Sequence, residues 1–238
     1  MSSAMAEQRP EPAGNPINVF FRESLLIGGE ATRLYLVRHA QSQANTGEDL
    51  TTGDADLTEI GWEQARRLGQ RMARQAVDAV YASPLRRTQE TALAIADALA
   101  LDVIPKADLR EVDLGQADFD IRLLPAEEQA LVVERIVAEG TWDAFPGSEG
   151  SRAARERVQS VVDGIIAENA GKRIVLVSHA GFIQTYVSLV LGLPRDFVFY
   201  PFNASIASIR AKGDRRVLWR LNDIAHLDGM PAGYGGIS

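Results

Sequence analysis

Two short runs, Leu34 to Val37 and Ile174 to Val177, are apolar at every position instead of alternating apolar with polar. A strand with one wet face alternates; an unbroken β-rich run is what a strand covered on both faces needs, and such strands belong to parallel sheets sandwiched between helices. The intervening sequence agrees. After Thr58 the residues Ala65, Leu68, Met72 and Ala76 recur at helical spacing, Leu85, Thr88, Ala92, Ile95 and Leu99 repeat the pattern, and Ala154, Val158, Val161 and Ile165 repeat it again. A third, less apolar strand is expected over Asp78 to Tyr81. Ser205 to Arg210 and Arg216 to Leu221 flank Lys212, Gly213 and Asp214, which reads as a closing hairpin. The fold class expected is α/β, a three-layer sandwich with a mostly parallel central sheet flanked by helices.

Residues 1–30 read as an N-terminal tail or extension, loose and polar to about residue 16, after which Phe20 and Phe21 are placed to pin the chain onto the domain surface. Residues 31–228 form the expected domain, and the Gly-rich residues 229–238 a C-terminal tail. Gln116 to Pro146 breaks the rhythm: it carries Pro125 and Pro146 around a candidate helix from Ala126 to Ala138 and reads as an insertion, residues 116–146, over one sheet edge, where lids tend to sit. A formal charge of −7 over 238 residues argues against holding nucleic acid or an anionic membrane by bulk electrostatics, and the absence of cysteine excludes disulfides and thiol chemistry. The first thirty residues hold no apolar stretch longer than Leu25 to Ile27, so neither a signal core nor a membrane span is expected and a cytoplasmic location is the default. A homodimer is possible if the strand near Ser205 to Arg210 forms an open sheet edge.

The two apolar runs end almost alike, in Leu36-Val37-Arg38-His39-Ala40 and Leu176-Val177-Ser178-His179-Ala180. In an open α/β sheet, ligands bind beyond the carboxyl ends of the strands, so both histidines fall on the edge where chemistry is expected. The third strand leads into Ser83-Pro84-Leu85-Arg86-Arg87, which predicts a helix with Ser83 as N-cap, Pro84 at its first position and Arg87 in its first turn, at the same edge. A cation there is unfavourable for the helix dipole, a misfit that points to another purpose. One histidine after a strand is ordinarily a hydrogen-bonded structural residue. Here two of only three sit at equivalent strand ends, with Arg38 beside one of them. Two guanidiniums match a tetrahedral dianion through paired charge-assisted hydrogen bonds, and positive neighbours keep a histidine neutral, with a lone pair able to attack phosphorus. A phosphorylated small molecule is the expected partner.

Leu36 to Asn45 (LVRHAQSQAN), Ser83 to Ala92 (SPLRRTQETA), Leu109 to Gly115 (LREVDLG), Val177 to Gly181 (VSHAG) and Asn222 to Leu227 (NDIAHL) resemble, in order and spacing, the motifs of the histidine phosphatase superfamily with its phosphoglycerate mutase-like fold. The likeness spans about residues 33 to 227. It implies a metal-independent phosphatase without cofactor that works through a phosphohistidine: His39 as nucleophile, Arg38, Arg87 and His179 as the clamp on the phosphoryl oxygens, and Glu111 as the acid on the leaving oxygen. Asn45 matches a position that contacts phosphate, and Ser42 and Ala180 are further candidates for substrate binding. Asp113 is the substitute for Glu111.

The chain departs from the family pattern in places. Ala40 and Ala180 stand where glycine commonly follows each histidine; Gln116, Ala117, Asp118 and Phe119 replace the usual aromatic and glycine; Pro146 to Val158 keeps Glu149 but alters its neighbours at Ser148 and Gly150. His226 and the surface residue Arg86 read as non-catalytic, and Trp62, Trp142 and Trp219 as cover for core edges. Three rival readings remain. A phosphoglycerate mutase needs more lysine than Lys106, Lys172 and Lys212 supply. A two-histidine, one-carboxylate metal site built from His39, His179 and Glu111 would be repelled by the two arginines. A binding module without turnover would not need this full set of groups.

Overall fold

The structure, a computed structural model, describes residues 15–28, 30–47, 54–115 and 124–230. Strand β1 (Thr32–Arg38) lies at the centre of a six-stranded sheet with β2 (Ala79–Ala82), β3 (Val103–Pro105), β4 (Arg173–Ser178), β5 (Ile206–Lys212) and β6 (Arg215–Asp223), in the order β3-β2-β4-β1-β5-β6. β3, β2, β4 and β1 are parallel; β5 runs antiparallel to β1, and β6 antiparallel to β5. Helices α3 (Glu59–Ala73) and α4 (Arg86–Leu99) cover one face, while α6 (Gly150–Glu168) and α7 (Ala180–Leu191) cover the other. Leu34 and Leu36 of β1 point to the α6 and α7 face and pack with Val158, Ile165 and Phe182; Tyr35 and Val37 point the opposite way, onto Ala65, Leu68 and Ile95. The unbroken apolar runs therefore serve two cores at once.

The expected strands and helices are present, and the hairpin turns at Gly213 (φ +55°). Four expectations need correction. The stretch Ser205 to Arg210 is not an open edge, because β5 lies between β1 and β6. Phe20 and Phe21 do not pin the N-terminal segment: they stand half or more exposed on α1 (Pro16–Ser24), and buried Leu26 anchors the chain instead. The helix after β2 begins at Arg86 with Leu85 as its cap, so Ser83 is not the N-cap and Pro84 precedes the helix. The aperiodic insertion contains the expected helix as α5 (Ala126–Glu139) and a 3₁₀ turn, Trp142–Ala144, while residues 116–123 lie outside the described residues, as do both tails beyond 15 and 230. The sequence reading missed the short β3 and the almost wholly buried α7, whose all-round apolar surface hides the helical period.

The four-residue helix α2 (Gln43–Thr46) and a bridge between Ser42 and Leu57 shape the loop that follows β1. Gly61 lets α3 touch that loop: a Cβ there would lie 2.0 Å from the Gln41 carbonyl oxygen, which is backbone and cannot step aside. Gly61→Ala is expected to cost roughly 2 kcal/mol of stability by overpacking, despite alanine's better helix propensity, read as a lowered denaturant midpoint at unchanged slope.

Candidate active site

Strands β1 and β4 pair in parallel register, Arg38 beside Ser178, so the next residues, His39 and His179, emerge side by side. Their rings lie 5.4 Å apart between centroids, at 61° to one another. His39 Nδ1 donates to its neighbour's carbonyl, Ala40 O, at 2.8 Å, which leaves the Nε2 lone pair unspent. Ser83, which ends β2 and bonds from its N–H to Val177 O, brings its hydroxyl to 2.9 Å from His179 Nε2. Arg87 Nη2 lies 3.3 Å from His179 Nδ1. Since a guanidinium only donates, Nδ1 accepts, and the ring proton sits on Nε2 facing Ser83.

Arg38 is buried, yet its contacts are neutral: Nη1 donates to Pro201 O at 2.7 Å, the guanidinium carbon lies 5.3 Å from the Tyr200 ring centroid, and Nε has no hydrogen-bond partner among the described residues. Its positive charge is thus left for something else. Burial, Arg38, the other ring and Arg87, in that order, hold His39 well below the usual 6.5, and burial, Arg87 and Arg38 do the same to His179. Both imidazoles are neutral at pH 7.

Glu111 reaches the same place from the segment after the 3₁₀ turn Ala107–Leu109. Its Oε1 accepts from Val112 N at 2.9 Å and Phe182 N at 3.0 Å, and its Oε2 from Gly181 N at 3.2 Å. The carboxylate therefore occupies the N-terminus of α7, the helix capped by His179, where free N–H groups favour negative charge. Gly181 is what makes room: a Cβ there would stand 2.6 Å from Glu111 Oε1 and 2.9 Å from the buried Trp142 ring. Arg157 steadies the segment from below, bonding Glu111 O at 3.3 Å and pairing with Glu149 at 2.5 Å, while Glu149 Oε1 accepts from Asp113 N at 3.0 Å.

Two neutral rings, two guanidiniums and a carboxylate at a helix N-terminus, gathered at one sheet edge, suit a tetrahedral anion, and the model of the histidine phosphatase superfamily (branch 1) matches residues 34–224. The chain belongs to the histidine phosphatase superfamily. It is 33% identical over 198 residues to phosphoserine phosphatase 1 of Hydrogenobacter thermophilus, covering 82% of this chain and 94% of that protein. It is 34% identical over 221 residues to the "Probable phosphoglycerate mutase GpmB" of Yersinia pestis, covering 84% and 96%. Among solved structures it resembles the mycobacterial glucosyl-3-phosphoglycerate phosphatase in complex with VO3, with a TM-score of 0.68 and 26% identity, over 80% of this chain and 98% of that one. The chain is accordingly a superfamily enzyme of the metal-independent phosphatase class with the phosphoglycerate mutase-like fold. No helix among the described residues is long and apolar enough to cross a membrane.

For this histidine phosphatase the structure brings His39, His179, Arg38, Arg87 and Glu111 together. Asn45 Oδ1 accepts from Ser42 N at 3.0 Å and from Asn203 Nδ2 at 3.1 Å, and Asn203 also donates to His39 O at 3.0 Å, so Asn45 ties the loop to the strand end that bears His39. Ser42 is fully buried with its hydroxyl on Asn45, and Ala180 is the first residue of α7. Asp113 faces its own loop, with Oδ1 on Gly115 N. His226 is half-buried in the 3₁₀ turn Ala225–Leu227, pushed down to about 4 by burial, and Arg86 is exposed and paired with Asp56. His39, His179 and Glu111 do not form a metal-ligating cluster; none of three or more such groups exists among the described residues. Sequence reasoning missed Ser83 as the partner of His179, Asn203, Gly181 and Trp142. Of these only Gly181 had a local signal, following its histidine by two residues.

The depressed histidines make stability depend on pH. A folded value below the unfolded 6.5 gives a contribution that is complete above 6.5 and is lost as pH falls from there toward the folded value, because the unfolded chain takes up protons the native pocket refuses. Each contributes a slope of about 1.4 kcal/mol per pH unit within that window. Unfolding midpoints measured from pH 7.5 to 5 are expected to fall, and His39→Gln to flatten the profile by one such share; an unaltered slope contradicts the assignment.

Proposed function

We propose that this histidine phosphatase hydrolyses phosphomonoesters through a covalent phosphohistidine on His39, with Glu111 as general acid and then base. The observation that carries the reading is the state of His39: its Nδ1–H is tied to Ala40 O, it lies 5.4 Å from His179, and its Nε2 lone pair stays unprotonated beside two guanidiniums. In the first step Nε2 forms a bond to phosphorus, the ester P–O bond breaks, and Glu111 gives its proton to the departing alcohol oxygen. In the second, Glu111 takes a proton from water as the oxygen attacks phosphorus and the N–P bond breaks, so phosphate leaves and both residues are restored. Arg38 and Arg87 hold the equatorial oxygens, and His179, whose ring proton otherwise faces Ser83, joins the clamp by turning that N–H to the guest, which supplies the positioning and charge stabilisation this chemistry chiefly requires. Asn45 positions the loop through Ser42 and Asn203.

Hydrolysis is favoured over mutase transfer because the segment from Asp113 to Leu123 contains no lysine and the whole chain has three. The relative carrying a mutase name keeps isomerisation as the second reading. Phosphoserine and 3-phosphoglycerate, drawn from the relatives' names, head a substrate panel. Faster isomerisation of 3-phosphoglycerate with a bisphosphate primer than release of phosphate from any panel member would reverse the preference.

His39→Ala is expected to abolish phosphate release from an aryl phosphate while the circular dichroism spectrum is retained, and rapid quenching with labelled substrate is expected to trap acid-labile, base-stable phosphate on the wild-type chain alone. Turnover persisting in the variant would end the mechanism. Glu111→Gln is expected to lower kcat on an alkyl phosphate by about 10²–10⁴ and to affect nitrophenyl phosphate much less, since that leaving group departs without a proton. Equal losses on both substrates would remove Glu111 from the acid role.

A further inference from the structure

A second basic cavity, of about 320 Å³, opens on the α3 face of the sheet where β1, β5 and β6 meet the end of α3. None of the five residues grouped at the strand ends lines it. The β1 residues that line it, Arg33, Leu34 and Tyr35, precede His39 by six to four positions, about 20 to 13 Å along an extended strand. Four guanidiniums line the cavity, from Arg33, Arg71, Arg210 and Arg220, against the single carboxylate of Asp223. Arg71 and Arg220 share that carboxylate, at 3.3 and 3.2 Å. Arg33 and Arg210 have none. They are direct cross-strand partners in the β1–β5 register, where like charges repel. Arg210 is fixed in place by the Trp219 ring, 3.7 Å from its guanidinium carbon, and by a bond to Leu26 O at 3.1 Å. The Arg33 side chain has no hydrogen bond or ion pair among the described residues.

Two facing cations in a concave site, one held rigidly and the other unengaged, make an arrangement that a multivalent anion relieves. The volume falls at the small end of metabolite sites, and Met72, Ile206 and the Tyr35 ring add an apolar floor with a hydroxyl at its rim. The cavity lining holds Ser208 and Tyr35 but no histidine to activate either hydroxyl, so its guest is bound and not turned over. We propose that this cavity is a second anion site, in which Arg33 and Arg210 grip the phosphate group of a small phosphorylated metabolite. The site stands on residues separate from the catalytic reading and does not depend on it.

Equilibrium dialysis or calorimetry with phenylphosphonate, whose C–P bond resists hydrolysis, counts the sites. The wild-type chain is expected to bind one equivalent more than Arg33→Gln, and Arg87→Gln to keep the equivalent that Arg33→Gln loses. The same count in wild type and Arg33→Gln overturns the proposal, whatever that count is. Repeating the measurement with inorganic phosphate separates the sources: the same one-equivalent difference assigns the site to free phosphate, and a difference with phenylphosphonate alone assigns it to an organic phosphate. Thermal melting supplies an independent check, with Arg33→Thr as a strand-compatible second variant. Without anion, both Arg33 variants are expected to melt above wild type because the repulsion is gone, and added phenylphosphonate to raise wild type further than either. Melting below wild type in anion-free buffer by both variants contradicts the unrelieved repulsion on which the site rests.

Discussion

The parallel register of β1 against β4 is the constraint from which the site follows. Pairing Arg38 with Ser178 leaves the chain no choice about where His39 and His179 go: each is the first residue past its strand, and the two strands are neighbours. β2 pairs with the other side of β4, Ala82 beside Val177, which delivers Ser83 to His179 and launches α4 with Arg87 in its first turn. Three strand ends thus supply both rings, Arg38, the hydroxyl that faces His179 and, by way of α4, Arg87. The apolar runs that hold those strands between two cores are what keep the distances fixed, since a strand buried on both faces cannot slip without exposing both.

The electrostatics divide the buried arginines into two kinds. Arg155 and Arg157 are satisfied internally: Arg155 pairs at 2.8 Å with Asp196, which is fully buried, and Arg157 with Glu149. Those pairs tie the start of α6 to the loops around Trp142 and Glu111, and their charge is cancelled where it stands. Arg38 is buried more deeply than either, against a carbonyl and an aromatic ring, contacts that orient the guanidinium and neutralise nothing. Desolvating a charge without a counter-charge is costly, so the fold carries that cost at Arg38 while sparing it at Arg155 and Arg157. The difference separates cations whose charge is cancelled in place from one whose charge is not. Together with burial, the larger cause, that uncancelled charge holds both histidines below their ordinary value.

Much of this was legible in the chain because the decisive residues sit at places where sequence and geometry coincide. A histidine that directly follows a continuous β-rich run has its position determined by the strand, and so His39 and His179 could be paired before any coordinate was seen. Glu111 could not: it follows a 3₁₀ turn, and its place is set by N–H groups of Gly181 and Phe182, seventy residues further on. Ser83 was read as a cap because serine before a helix usually is one, but tertiary contact with His179 takes its hydroxyl and the helix starts later. Asn203 was invisible for a similar reason. Its role depends on a loop that returns from β5's start to the end of β1, a contact across 164 positions that no local pattern encodes.

Local rules that are broken deserve a common interpretation. Arg87 violates the dipole preference of a helix's first turn, and Arg33 opposite Arg210 violates the preference for complementary cross-strand charges. Arg87 lies against His179, and Arg33 lines the cavity beside Arg210. An anion in either place would offset a charge that the local rule disfavours. At Arg87 that reasoning accords with the proposed phosphate site. At Arg33 it carries the proposed second site, and the two places differ in one respect: beside Arg87 lies the neutral His179 ring, whereas opposite Arg33 lies a second guanidinium, that of Arg210.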